Sequence, residues 1–313
     1  MELILYISVF LVGFYMISKA ADYFVDEAAN IGTKHGMSKL MIGLTIVAIG
    51  TSLPEMITSL GAILFTPNYS EFIIGTTLGS NITNILLAFG LFLIIAKKFT
   101  IKKDELFNII ALIGTSIVFI IFILFGFVSY VAIALVIFYT YYILYQKKYQ
   151  KLEIEEIEEK YVDKTKHSSK KSYIIIALSF IGLFIGAKLT ILGIENIGSI
   201  LSIPSAYLNL VVVSIATSLP EIGVTIASAK RKEYLMAIGN IVGTNIMNVC
   251  LIIGTSGFFG NYLVQTDLYL SSIVIFSIAT LLFSFLIYRK KFTPVFGYIF
   301  IILYVLYVLM IFT

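Results

Sequence analysis

The sequence predicts an all-α polytopic membrane protein, ten transmembrane helices arranged as two inverted five-helix repeats. Three observations carry that prediction. The 313 residues are 59% hydrophobic and only 13% charged, too apolar to cover a water-facing surface. The apolar residues fall in ten long runs, each near the roughly 20 residues that a bilayer requires. A pair of motifs also occurs twice, once in each half of the chain.

The runs lie at about 2–27, 38–65, 71–95, 106–125, 127–145, 173–194, 204–229, 234–258, 268–288 and 293–312. The first, opening MELILYISVF, lacks the basic start of a signal peptide and reads as a retained span. Residues 1–145 thus form one five-helix unit and 173–313 the other. Between them, 146–172 reads QKKYQKLEIEEIEEKYVDKTKHSSKKS. Its mixed charge without apolar periodicity predicts a flexible or partly helical connector. Its acids lack the Asp/Asn–Gly–Glu spacing of a calcium loop. The single cysteine, Cys250, excludes an internal disulfide and reads as a small core residue.

Ten spans place both termini on one side. With both outside, the inward loops and the linker carry 20 of the 22 basic residues, and the outward loops carry none. The other two, Lys19 and Lys188, lie within spans and can snorkel to an interface. The positive-inside rule therefore predicts extracellular termini and a cytoplasmic linker. Asp22, Asp26 and Glu27, at the inner end of the first span, are expected to reach water.

Residues 51–55 and 217–221 both read TSLPE, and Asn30-Ile31-Gly32 recurs at the same spacing as Asn196-Ile197-Gly198. IIGTTLGSNITNILLAFG (73–90) aligns with AIGNIVGTNIMNVCLIIG (237–254), eight of 18 positions being identical. The repeated regions span 43–90 and 209–254. An odd number of spans per repeat reverses the polarity of the second copy. Inverted repeats are a transporter design, with the substrate held between them near the midplane.

The motif chemistry fits a hard cation. Pro54 and Pro220 have no N–H to give to the carbonyls of Gly50 and Ala216. Loosened carbonyls at bilayer depth need a partner from the protein or an ion in a cavity. Thr51 lies four residues and Ser52 three before Glu55, on one helix face, as Thr217 and Ser218 stand to Glu221. Ser80 with Asn84, and Thr244 with Asn248, repeat the i, i+4 spacing. These oxygens suit Na⁺ or Ca²⁺ rather than soft metals. An ionisable residue at mid-membrane is functional by default, which singles out Glu55 and Glu221. Gly75, Gly79, Gly239 and Gly243 permit close helix approach, and Asn81 and Asn245 read equally well as packing glue.

At GTSLPE (50–55), GSNITN (79–84), ATSLPE (216–221) and GTNIMN (243–248) the chain resembles the cation/calcium antiporter superfamily, most closely its prokaryotic sodium/calcium exchangers. The resemblance covers nearly the whole chain and implies a ten-helix fold, exchange of Ca²⁺ for Na⁺ and no cofactor. It implies that Glu55 and Glu221 are shared ion ligands. Thr51, Ser52, Ser80, Thr217, Ser218 and Thr244 match positions that bind ions through hydroxyls or carbonyls, and Asn84 with Asn248 the central polar pair. Ala48 and Ser214, opposite one another in the repeats, complete the expected set. The resemblance also implies that the first helix of each repeat slides during alternating access. Asn248 stands where potassium-dependent relatives carry aspartate, which argues against potassium coupling. Ala216 replaces the glycine found at Gly50.

Other classes fit less well. His35 and His167 lie in loops, so no membrane-embedded base could activate a serine, and there is no metal-binding histidine motif. Two carboxylates on broken helices suit a closed, coupled site better than a wide pore. Proton coupling is the alternative within the class, since a buried glutamate can hold a proton. The hydroxyls beside both glutamates favour Na⁺, because a proton needs no coordination shell. The expected partners are Na⁺, Ca²⁺ and the lipid bilayer, at the plasma membrane. No nucleic acid and no obligate protein partner is implied.

Overall fold

The computed structural model describes residues 2–65, 69–101, 105–126, 129–157, 169–200, 215, 217–259 and 269–312. Ser214 and Ala216, the opening of the seventh apolar run, and linker residues 158–168 lie outside them.

The first repeat opens with α1 (Glu2–Lys34). Its second span is built from α2 (Lys39–Ile42), a π-helical turn (Gly43–Val47) and α3 (Ala48–Phe65). The third runs through α4 (Tyr69–Ile82), a π-helical turn (Thr83–Ala88) and α5 (Phe89–Ala96). A short strand, β1 (Phe99–Thr100), precedes α6 (Leu106–Phe125) and α7 (Ser129–Ile157). The second repeat follows the same order: α8 (Ser169–Ile200), α9 (Leu219–Lys230), then α10 (Tyr234–Met247), a π-helical turn (Asn248–Ile253) and α11 (Gly254–Ser256). It closes with α12 (Leu270–Arg289), β2 (Lys291–Phe292) and α13 (Pro294–Phe312). Among the described residues, seven helical stretches are long and apolar enough to cross a bilayer. Every expected span contains helix, and several run past their apolar limits. α1 continues to Lys34, and α7 carries its helix into the linker as far as Ile157.

The repeats interlock, and the glycines show where. α10 lies backbone to backbone on the start of the second span. A Cβ on Gly243 would meet the Leu44 carbonyl at 2.8 Å and Ala48 Cβ at 2.9 Å. Gly239 packs against the Leu40 carbonyl and Gly43 Cα in the same seam. Small residues permit such contact where lipid offers no hydrophobic drive to pair helices. This central helix is almost wholly buried, whereas α1, α6, α12 and α13 turn apolar side chains such as Phe14, Ile121, Leu281 and Ile302 outward, as lipid-facing helices do.

α1 and α8 run antiparallel. Going up α1, Phe10 meets Gly193, Gly13 meets Thr190 and Gly186, Ile17 meets Gly186, and Ala20 meets Gly182. The two helices are the first of each repeat, so their opposed directions display the inversion directly.

Loops that the charge pattern assigned to one side do share one face. β1 pairs antiparallel with β2, Phe99 opposite Phe292. Phe99 also stacks on Phe292 at 4.5 Å and on Tyr234 at 4.4 Å. Lys39 pairs with Glu233 at 2.9 Å. Asp22 and Asp26 are partly exposed and pair with Arg231. Glu27 departs from the expectation that it reaches water. It is 7% exposed, because Asn30, itself donating to Ser172 of α8, also holds its carboxylate at 3.1 Å.

Candidate cation site

Both TSLPE motifs end up in the middle of the helix bundle, but the backbone treats them differently. In the first repeat the helix runs on through Pro54, from Ala48 to Phe65. The Thr51 hydroxyl lies 3.1 Å from the Val47 carbonyl and 3.4 Å from that of Ala48, the back-bond a threonine makes within its own helix. In the second repeat the helix restarts at Leu219, with Pro220 in its first turn, where the missing N–H costs nothing. Each GSN/GTN motif runs into a π-helical turn, Thr83–Ala88 in one repeat and Asn248–Ile253 in the other. Such turns often mark functional sites. Here they fall on the two helices that carry Asn84 and Asn248.

The two carboxylates are each 1% exposed. The Ser52 hydroxyl, on the first repeat, lies 3.2 Å from Glu221 Oε1 and 3.4 Å from Thr244 Oγ1, both on the second. Ser80 and Thr217 meet across the interface at 3.1 Å. Two serines of the first repeat therefore reach the motifs of the second. Thr51, Ser52, Ser80, Asn84, Ser218, Thr244 and Asn248 are fully buried, and so is Ala48.

Buried polar atoms are usually paired, so the exceptions are informative. Both Glu55 oxygens, Glu221 Oε2, Ser218 Oγ, both polar atoms of the Asn84 amide and Asn248 Oδ1 have no hydrogen-bond partner among the described residues. All of these belong to the two repeated motifs, whereas the unpaired hydroxyls of Tyr139, Ser228, Thr280 and Ser284 lie outside them. Unsatisfied carboxylate and carbonyl oxygens in a dry interior fit a hard cation, and they do not fit a site filled by protein hydrogen bonds. No group of three or more His, Cys, Asp or Glu side chains gathers among the described residues. A cation here would meet two carboxylates and neutral oxygens.

The structure adds residues that sequence reasoning passed over. Asn240, aligned with Thr76 of the first repeat, is fully buried. Its Oδ1 lies 3.4 Å from the Thr51 hydroxyl, and its amide donates to Thr225 at 3.2 Å. Thr225 follows Glu221 by four residues, as Ser59 follows Glu55, and both are buried. A hydroxyl one turn beyond each glutamate was visible in the repeat itself. Asn81 and Asn245, left undecided by sequence, lie at the repeat interface, with the Asn81 amide 3.3 Å from the Asn245 carbonyl.

Inverted repeats whose buried, unsatisfied oxygens converge around two glutamates define a cation-coupled membrane transporter. The description "sodium/calcium exchanger protein" covers residues 5–148 and 171–313, which is nearly the whole chain, and the protein belongs to that family. It is 32% identical over 320 residues to the sodium/calcium exchanger MaX1 of Methanosarcina acetivorans, covering 89% of this chain and 90% of that one. It is likewise 32% identical over 283 residues to an uncharacterized membrane protein of Methanocaldococcus jannaschii, covering 90% and 91%. Its fold matches the sodium-calcium exchanger NCX_Mj with a TM-score of 0.81 at 28% identity, over 97% of each chain. That structure comes from crystals soaked with 2.5 mM Na⁺ and 0.1 mM Ca²⁺.

Proposed function

We propose that this protein is a Na⁺/Ca²⁺ antiporter of the plasma membrane, with extracellular termini, that carries about three Na⁺ against one Ca²⁺ by alternating access. The supporting observation is that Glu55 and Glu221 are buried with unsatisfied motif oxygens while the motifs of the two repeats touch through Ser52–Glu221, Ser52–Thr244 and Ser80–Thr217. Glu55 and Glu221 supply the charge. Thr51, Ser52, Ser80, Thr217, Ser218 and Thr244 supply hydroxyl or carbonyl oxygens, and Ala48 and Ser214 complete the set. Asn84 and Asn248 supply neutral oxygens at the centre. The basic loops gathered on one face support a cytoplasmic assignment for that face.

Charge decides how the cycle responds to voltage. Two carboxylates balance one Ca²⁺, so the calcium-loaded protein crosses nearly neutral. Three Na⁺ against the same two carboxylates leave one positive charge, and the sodium-loaded half-cycle senses the potential. One charge is worth roughly 2.3 kcal/mol per 100 mV, more than a tenfold change in the calcium gradient that can be sustained. The test is calcium uptake into sodium-loaded vesicles with the potential clamped by valinomycin and K⁺. An interior-positive clamp should speed uptake. Flux indifferent to the clamp would mean two Na⁺ per Ca²⁺ or a protonated glutamate. Uptake that persists without sodium but collapses with a protonophore would replace this reading by Ca²⁺/H⁺ exchange.

A further inference from the structure

The geometry points to Asn81 as a positioning residue that fixes which end of the Asn248 amide faces the cation site. The inference rests on the antiporter reading above, and begins from an unambiguous acceptor. The Asn245 backbone carbonyl can only accept a hydrogen bond, and the Asn81 side chain lies 3.3 Å from it through Nδ2. The same carbonyl also takes the backbone N–H of Asn248, so the Asn81 amide adds a second donor to it from the other repeat. With its NH₂ committed there, Asn81 must turn Oδ1 the other way. That oxygen accepts from Asn248 Nδ2 at 3.1 Å. Asn248 in turn can present only Oδ1 on its far side. This oxygen is buried and has no protein partner. It lies one helical turn from Thr244, whose hydroxyl meets Ser52 beside Glu221. The backbone polarity of the second repeat is thus relayed through Asn81 of the first back into the donor set of the second. A reversed Asn248 would aim an NH₂ at a cation.

The repeat supplies an internal control. Asn245 corresponds to Asn81, and Asn84 to Asn248. The symmetric bond, from Asn84 to Asn245, is not made. Asn245 Nδ2 donates to Ile241 of its own helix at 2.7 Å, while Asn245 Oδ1 and both polar atoms of the Asn84 amide have no partner among the described residues. Asn248 is a fixed oxygen ligand, and Asn84 is free to turn. Packing glue would bind both pairs alike, so the asymmetry separates a positioning role from simple helix adhesion.

The test is a double-mutant cycle read by cation-induced thermal stabilisation of the purified protein, titrated with Ca²⁺ and separately with Na⁺. Asn81→Leu keeps volume and removes both hydrogen bonds. It should raise the half-stabilising Ca²⁺ concentration about fivefold, the worth of one ordinary buried hydrogen bond. In an Asn248→Ala background the same substitution should change that concentration less than twofold, because there is no amide left to orient. Asn81→Ala carries the same cycle if the leucine variant does not fold. Effects that multiply, or an Asn81 variant within twofold of wild type, would overturn the assignment. A wild-type protein that neither Ca²⁺ nor Na⁺ stabilises would count instead against the antiporter reading on which the inference stands.

Discussion

Replacing Glu221 by glutamine changes one charge and almost no volume. In the structure Glu221 Oε1 takes a hydrogen bond from Ser52, and Oε2 is unpartnered and buried. A glutamine amide can keep its oxygen toward Ser52 and place its NH₂ where Oε2 stood, so the fold should survive. What disappears is one of two carboxylates. Bound Ca²⁺ would then leave about one uncompensated positive charge at bilayer depth. A charge there costs roughly 2.5–3.5 kcal/mol. At 1.4 kcal/mol per factor of ten, that weakens apparent calcium affinity about a hundredfold. Glu55, whose two oxygens are both unpartnered, should respond in the same way. The assay is initial-rate Ca²⁺ uptake across a calcium titration in proteoliposomes, with size-exclusion profiles confirming that each variant is folded. A folded Glu55→Gln or Glu221→Gln protein with calcium affinity within a few-fold of wild type would refute the charge argument.

Three further outcomes follow from other parts of the molecule. Calcium uptake should proceed in K⁺-free, choline-balanced vesicles, since Asn248 is neutral; a strict need for K⁺ on the calcium side would show that inference to be wrong. A neutral Gly/Ser linker in place of 158–168 should leave the calcium dependence unchanged, whereas a large affinity shift would reveal calcium sensing there. Gly186→Val should slow turnover at least tenfold while calcium-induced thermal stabilisation remains. A Cβ at Gly186 already meets the Gly13 carbonyl and Ile17 backbone at 2.9 Å, and overpacking of this kind costs about 1–3 kcal/mol along the α1–α8 seam. Equal losses of binding and turnover would place the effect elsewhere than in relative movement of α1 and α8.

Much of this architecture is legible in the sequence because the bilayer restricts the choices. Long apolar runs can satisfy their backbone only as helices. The two TSLPE motifs mark the inversion, and lysine placement sorts the loops. Gly239 and Gly243 sit in the close seam that their small size suggested. The π-helical turns at Gly43–Val47, Thr83–Ala88 and Asn248–Ile253 were not legible. A one-residue widening of a helix is set by tertiary packing and leaves no mark in hydropathy. Glu27 misled for a similar reason. It lies next to Asp26 in sequence, yet the helix turns it toward Asn30 while Asp26 turns toward Arg231. The roles of Asn81 and Asn240 needed coordinates too, since an asparagine in a glycine-rich helix looks the same whether it joins two helices or aims a ligand.

The central claim is coupling, and one flux measurement addresses it. Purified protein is reconstituted into liposomes loaded with Na⁺ and diluted into Na⁺-free, choline-balanced medium containing Ca²⁺, with and without a protonophore. Calcium should accumulate against its own gradient for as long as the outward Na⁺ gradient lasts, with the protonophore present or absent. It should leave again when Na⁺ is added outside. Calcium entry that ignores the Na⁺ gradient, or that only equilibrates with the medium, would contradict the assignment of this protein as a Na⁺/Ca²⁺ antiporter.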